Sequence, residues 1–269
     1  MIKKLRQLST ACSTVKKAEL PPIVYAKLPG YVPYKNGLAL QEKLVARRLA
    51  SRKEESESAQ LIANTDILLL LEHKPVFTAG RREKDDSGLF GGEKERLEAL
   101  GADYQWIKRG GQTTYHGPGQ LVGYSLMDTG ISELSTRCYV DYMERFLEDL
   151  AKLYGVQVAD IPHTGLFTSP TRKIGSIGIQ IQHRLTMHGF SLNITNDPID
   201  WFNKVIACGL AEVKATSVET ETSAILNMDK VKDDAAGLFA KRYGRHIREL
   251  GSRRSDAELQ EVISSILMQ

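Results

Sequence analysis

Apolar positions along the chain switch between two periods, and the switches mark out its elements. After Pro21-Pro22, residues 23–28 read as a short strand and Pro29-Gly30 as a turn. From about 34 to 54, Leu38, Leu40, Leu44, Val45, Arg48 and Leu49 recur at spacings of three and four, which predicts a helix. Its densely charged end, 46–60, drifts into a loop before Leu61. Residues 66–72 form a continuous apolar run, the pattern of a strand covered on both faces. A second short strand follows at 76–80, then a polar loop over 84–92, a short helix at 93–100 and a strand over 102–108.

The strongest helix covers 137–154, where Val140, Met143, Phe146, Leu147, Leu150 and Leu153 form one stripe and Gly155 ends it. Further on, Ile177, Ile179 and Ile181 alternate with Gly178, Gln180 and Gln182, and Leu185 and Met187 keep the same parity. Phe190, Leu192 and Ile194 then occupy even positions. A slip of one turns the buried face over, so a bulge or bend is predicted near His188-Gly189. Residues 196–202 read as a turn region, 204–210 as a short apolar piece, and 231–243 and 256–267 as helices. With no repeat or linker in between, the pattern predicts one α/β domain over 19–225 and a helical extension, 226–269, packed on it.

Composition narrows the picture. The 269 residues are 42% hydrophobic and 26% charged, as expected of a folded protein. The net charge of +3, from 36 basic and 33 acidic residues, is too mild for a nucleic-acid binder. No apolar run reaches the length of a membrane span. Cys12, Cys138 and Cys208 lie far apart and form no C-x-x-C pair, so neither a disulfide framework nor a zinc thiolate site is expected. The first 18 residues carry Lys3, Lys4, Arg6, Lys16 and Lys17 among hydroxyl residues, and no acid. That start reads as a mitochondrial transit peptide, or as a disordered basic arm.

Two stretches carry candidate chemistry. In the first, Arg109 stands beside Gly110 and Gly111, and Gly117-Pro118-Gly119-Gln120 reads as a type II turn leading into a strand. Alone, this fits a basic β-hairpin as well as a ligand loop. In the second, Cys208 precedes Gly209, with Lys173 at a strand start and His188 at the predicted bend. A thiol must ionise to attack, and a partly desolvated lysine beside it can exchange protons near neutrality. A buried structural cysteine and a surface lysine fit the same residues.

Taken together the motifs resemble a family. Leu71-Glu-His-Lys-Pro-Val-Phe-Thr-Ala-Gly-Arg81 and Arg109-Gly-Gly-Gln-Thr-Thr-Tyr-His-Gly-Pro-Gly-Gln-Leu-Val-Gly-Tyr124 are similar to signatures of the lipoyl(octanoyl) transferases. So are Lys173-Ile-Gly-Ser-Ile-Gly178, Thr186-Met-His-Gly-Phe-Ser-Leu-Asn193 and Ala207-Cys-Gly-Leu210, in family order over about 60–220. The resemblance, to the eukaryotic mitochondrial type, implies a biotin/lipoate protein ligase-like α/β fold (class II aminoacyl-tRNA synthetase/biotin synthetase-like), a mixed sheet flanked by helices. It implies transfer of octanoyl from octanoyl-acyl carrier protein, through a Cys208 thioester, to a lysine of a lipoyl domain, with Lys173 as the second catalytic residue. Acceptors would be the glycine cleavage H protein and 2-oxo acid dehydrogenase E2 subunits, in the mitochondrial matrix.

The acyl pocket maps to Arg109, Gly110, Gly111, Gln112, Thr113, Thr114, Tyr115 and His116, then Ser176, Ile177 and Gly178, then His188, Gly189, Phe190 and Ser191. Its glycines would leave a narrow groove for an alkyl chain. No cofactor, metal, nucleic acid or membrane span is implied, and a monomer is expected. Ala207 departs from the proline that bacterial relatives often carry before the cysteine. His73, His163, His183 and His246 are read as structural or surface residues. The nearest alternative is an ATP-dependent lipoate or biotin protein ligase of the same fold, which would need a nucleotide site and not Cys208.

Overall fold

The computed structural model describes Cys12 and residues 20–81, 93–205 and 212–268. In chain order the first elements are β1 (Ile23–Val32), α1 (Tyr34–Ser51), α2 (Glu57–Asn64), β2 (Ile67–His73) and β3 (Val76–Ala79). They are followed by α3 (Glu93–Glu98), β4 (Asp103–Trp106), β5 (Thr114–His116), β6 (Gln120–Leu126) and α4 (Thr136–Leu153). Next come β7 (Leu166–Ser169), β8 (Arg172–Gln182), β9 (Leu185–Asn193), α5 (Asp197–Phe202), β10 (Lys214–Ala215) and α6 (Val218–Thr222). The tail supplies α7 (Met228–Arg242), β11 (Ile247–Glu249) and α8 (Ala257–Leu267).

The main sheet is mixed, in the order β10-β8-β9-β6-β2-β1-β11, with β7 also paired to β8. The run at 67–71 explains its own burial. Leu68 and Leu70 enter a core with α4 and α7, while Ile67, Leu69 and Leu71 enter a second core with α1 and α8. Helices thus cover both faces. On α4 the stripe of Tyr139, Met143, Phe146, Leu147 and Leu150 is wholly buried, each side chain contributing about 1.5–3 kcal/mol. Ser135 caps this helix by accepting from the Cys138 N–H, and Gly155 (φ +86°) lets the chain leave it. Leu153, read as part of the stripe, is exposed.

Three other expectations change. Pro29-Gly30 is not a turn: Gly30 takes φ +61° in a bulge, and β1 continues alongside β2. The charged stretch before Leu61 contains α2, capped by Ser56 and held by Ala59, Ile62 and Ala63. The tail is not purely helical, because β11 extends the main sheet parallel to β1.

A smaller sheet, β4-β3-β5, stands apart. The Gly117–Gln120 turn forms as expected, with Gly119 at φ +77° and the Gln120 N–H on the Gly117 carbonyl at 3.2 Å. Its flanking strands do not form a hairpin. β5 pairs with β3 in the small sheet, and β6 pairs with β2 and β9 in the large one. The turn is therefore the step between two sheets. The Glu72 carboxylate holds it through the Gly119 N–H at 2.9 Å.

Cys12 and Cys138 are joined by a disulfide, against expectation, with Cα atoms 5.4 Å apart. A single pair 126 residues apart leaves no spacing signal in a sequence. Among the described residues no helix is long and apolar enough to cross a membrane.

Candidate active site

One cleft forms where the small sheet and α1 lie over a face of the main sheet. It has about 510 Å³ of empty volume, its open mouth included. It is lined by Arg109, residues 111–114 and His116 on one side, and by Lys173, Ser176, Ile177, Gly178 and residues 188–191 on the other. Stretches as far apart in sequence as Arg109 and Ser191 thereby converge. Tyr34, Val122 and Tyr124 complete the wall; motif reasoning named none of them as site residues. Tyr34 follows Pro33 at the start of α1, where an aromatic residue gives no sign of binding.

Two pocket candidates lie elsewhere. Gly110 does not line the cleft; its N–H donates to the Ile179 carbonyl at 3.0 Å, tying the loop to β8. Tyr115 points into the core of the small sheet, stacked on Trp201 at 5.7 Å and tilted against Phe77 at 5.2 Å. Alternation along β5 sends His116 and Tyr115 to opposite sides. Cys208 lies outside the described residues, as do Ala207 and the 84–92 loop.

Arg109 organises the near wall. Its guanidinium donates to the Thr78 carbonyl and hydroxyl at 2.7 and 2.8 Å, and to the Gly110 carbonyl at 3.0 Å. Glycines let this loop come close. A Cβ on Gly178 would stand 2.9 Å from Arg109 Cδ, and one on Gly80 would stand 2.4 Å from the Gly111 carbonyl oxygen. At these two positions the missing side chain admits protein backbone and Arg109, not an alkyl chain.

The three buried histidines are neutral. Burial lowers His73 to about 4, His116 to about 3 and His188 to about 3. Partners fix two tautomers. His73 Nδ1 donates to the Val32 carbonyl at 2.8 Å, so its Nε2 accepts from the Tyr124 hydroxyl at 2.5 Å. His116 Nδ1 donates to Gln120 Oε1 at 2.7 Å. The Gln120 amide is oriented by donating to the Tyr115 carbonyl and to Asn193 Oδ1, and Asn193 in turn donates to the Thr216 carbonyl. Tyr34 stacks on His116 with its ring 6.3 Å away. His73 is thus structural, as read, and is also a wall support. His163, His183 and His246 are exposed. His183 and Arg184 form the two-residue turn between β8 and β9, both with positive φ.

The predicted bend is present, for a different reason. The β8–β9 ladder runs without a bulge from Gly175↔Leu192 to Gln182↔Leu185. Leu185 and Met187 belong to the α1 core, and Phe190 and Leu192 to the α4 core, as in any strand covered on both faces. The bend lies in His188 and Gly189, at φ +61° and +159°.

Lys173 is 2% exposed, although it stands at a strand start. Its Nζ lies over the Phe167 ring, 5.5 Å from the centroid. Gly165 makes room for it: a Cβ there would stand 3.0 Å from Lys173 Cε. The chain on either side of 206–211 is pinned beside this lysine. The Ala215 N–H donates to Asn203 Oδ1 at 2.9 Å, Ala215 lies next to Lys173 in the sheet, and the Thr216 N–H donates to the Lys173 carbonyl at 2.9 Å.

The lipoyl protein ligase A/B catalytic domain matches residues 33–240. An octanoyltransferase of Acidobacterium capsulatum is 37% identical over 238 residues, covering 83% of this chain and 91% of its own. The chain belongs to the octanoyltransferase family. A mitochondrial octanoyl-[acyl-carrier-protein]:protein N-octanoyltransferase of Danio rerio is 35% identical, over 83% of this chain and 93% of its own. Among solved structures, a bipartite lipoate protein ligase of Thermoplasma acidophilum superposes with a TM-score of 0.62 at 13% identity, over 91% and 93% of the two chains. That likeness concerns the fold alone, a lipoate protein ligase fold with a mixed sheet and flanking helices. The protein is therefore an acyltransferase, acting in octanoyl transfer for protein lipoylation.

Proposed function

We propose that the cleft holds the octanoyl chain and that Cys208 and Lys173 perform the transfer in two acyl-transfer steps, a thioester exchange and then an aminolysis. In the first, Lys173 takes the Cys208 thiol proton and the thiolate attacks the carbonyl of octanoyl-acyl carrier protein. The donor C–S bond breaks, and the carrier leaves as a thiol with the proton returned. In the second, a lipoyl-domain lysine amine attacks the Cys208 thioester. An amide forms, Cys208 leaves, and the amine proton returns to it through Lys173. Each step exchanges one acyl bond for another, so no nucleotide is consumed.

The observation that carries this reading is the burial of Lys173 in the wall of the same cleft that the 109–116 loop and β9 enclose. Neutral histidines and tyrosines around it suit an uncharged alkyl thioester. Shortening the chain by one methylene would remove about 0.8 kcal/mol of burial, so selection for eight carbons is graded. The test is transfer without ATP. With octanoyl-acyl carrier protein and a lipoyl domain, such as a glycine cleavage H protein or a 2-oxo acid dehydrogenase E2 domain, the domain should gain one octanoyl group. Gain only with ATP and free octanoate would support the ligase reading.

We place the protein in the mitochondrial matrix, from the basic, acid-free residues 1–18 and the mitochondrial relative. A mature chain beginning at Glu19 would lack Cys12 and leave Cys138 as a thiol. The N-terminal mass of the mature protein decides between that form and the disulfide-linked one.

A further inference from the structure

Gln41 lies on α1, outside the motifs, and is wholly buried. Its side-chain oxygen accepts from the backbone N–H of His188 at 2.6 Å, across 147 residues of sequence. Its amide nitrogen donates to the Gly37 carbonyl at 3.3 Å, which sets the oxygen toward β9. The residue it holds, His188, has a left-handed backbone (φ +61°) within a strand, a conformation uncommon for a residue with a side chain.

That conformation changes where His188 points. Two positions before it, Thr186 hydrogen-bonds Tyr139 of α4; two positions after, the Phe190 ring meets Phe146 of α4. A regular strand would put His188 in that same row. Instead its ring meets Tyr124, a member of the α1 core, edge-on at 6.2 Å, and like Phe190 it lines the cleft. Gly189 completes the bend, since a Cβ there would stand 2.3 Å from the Gly123 carbonyl oxygen. The same stripe of α1 serves the site twice more. Tyr34 lines the cleft, and Gly37 leaves room for His73, whose Cε1 would lie 3.0 Å from an added Cβ.

We infer that Gln41 is a positioning residue: it holds the left-handed backbone that swings His188 out of the α4-facing row into the cleft wall, and so sets affinity for the acyl donor. The inference rests on the cleft being the acyl site.

A double-mutant cycle of Gln41→Met and His188→Ala tests it, read in steady-state transfer with octanoyl-acyl carrier protein. Gln41→Met should raise the donor KM about tenfold, the loss of one buried hydrogen bond, and leave kcat and the acceptor KM close to wild type. In the His188→Ala background it should add nothing further. Independent, multiplying effects would overturn the assignment, as would a wild-type donor KM for Gln41→Met beside an impaired His188→Ala. If His188→Ala leaves the donor KM unchanged, the acyl-site reading falls as well. Should Gln41→Met alone fail to fold, His188→Gly added to it should restore folding, because glycine takes φ +61° without strain. Failure of that rescue would place the role of Gln41 elsewhere in the core and overturn the proposal.

Discussion

Two clusters of buried polar residues flank the same sheet, and they are built differently. Around Asp66 the groups are turned on one another. Asp66 Oδ1 accepts from Arg48 at 2.9 Å and from the Asp128 N–H at 2.7 Å, and Oδ2 pairs with Arg245. Arg48 also donates to the Leu126 and Ala63 carbonyls, and Arg245 to the Pro21 carbonyl. This knot fastens α1, the start of β2, the end of β6 and the tail, and none of its charged residues lines the cleft described above. Around Lys173, Arg109, His116 and His188 the groups instead line a space. Buried polarity alone therefore does not mark a site; polarity facing a cavity does.

Four substitutions or conditions separate the two clusters. The largest effect should come from Lys173→Ala, which should lower the transfer rate by about 10²–10⁴ while leaving the melting temperature near wild type. Asp66→Ala should do the reverse. It should cost about 3–5 kcal/mol in denaturant unfolding, because two arginines stay buried without their carboxylate, while the folded fraction keeps its rate. If both variants lose stability equally, the contrast fails.

Next in size is acid sensitivity from the cleft side. His73, His116 and His188 fall from the usual 6.5 to about 4, about 3 and about 3, because burial penalises the imidazolium. The unfolded chain therefore binds more protons than the folded one below pH 6.5. Their contribution is complete above that value and is lost progressively as pH falls from it toward the folded values, by up to about 1.4 kcal/mol per pH unit for each histidine. Unfolding free energies followed from neutral to mildly acidic pH should show this slope, and His116→Gln should reduce it by about one third, the His73 and His188 parts remaining. The smallest effect should be Phe167→Leu, which removes the ring beneath Lys173 Nζ, where the ammonium forms once the thiol proton is taken. A cation–π contact of about 0.5–2 kcal/mol predicts a rate loss of about 2- to 30-fold, restored by Phe167→Tyr.

How far the sequence foretold this arrangement depends on which interactions are local. The 67–71 run and the α4 stripe were legible because hydrophobic periodicity reports burial directly. The turn at Gly117–Gln120 was legible because, within four residues, Pro118 fixes its own φ and Gly119 permits the positive φ that a type II turn requires. What the turn joins was not, since two sheets and one hairpin share the same local pattern. The α2 helix was hidden because three buried residues carry it in a charged segment. Tyr34 and Gln41 were hidden because their partners lie on other elements, and a buried glutamine reads as a surface residue. The bend at His188-Gly189 was found through a parity argument that the two-sided burial of β9 makes unnecessary; its cause is backbone conformation held by a distant side chain.

The most direct test of the account is the intact mass and peptide map of the protein after brief exposure to octanoyl-acyl carrier protein without acceptor or ATP. One octanoyl group on Cys208, absent in Cys208→Ser and discharged on adding a lipoyl domain, is the predicted result. An unmodified Cys208 in a protein that still transfers octanoyl would contradict it.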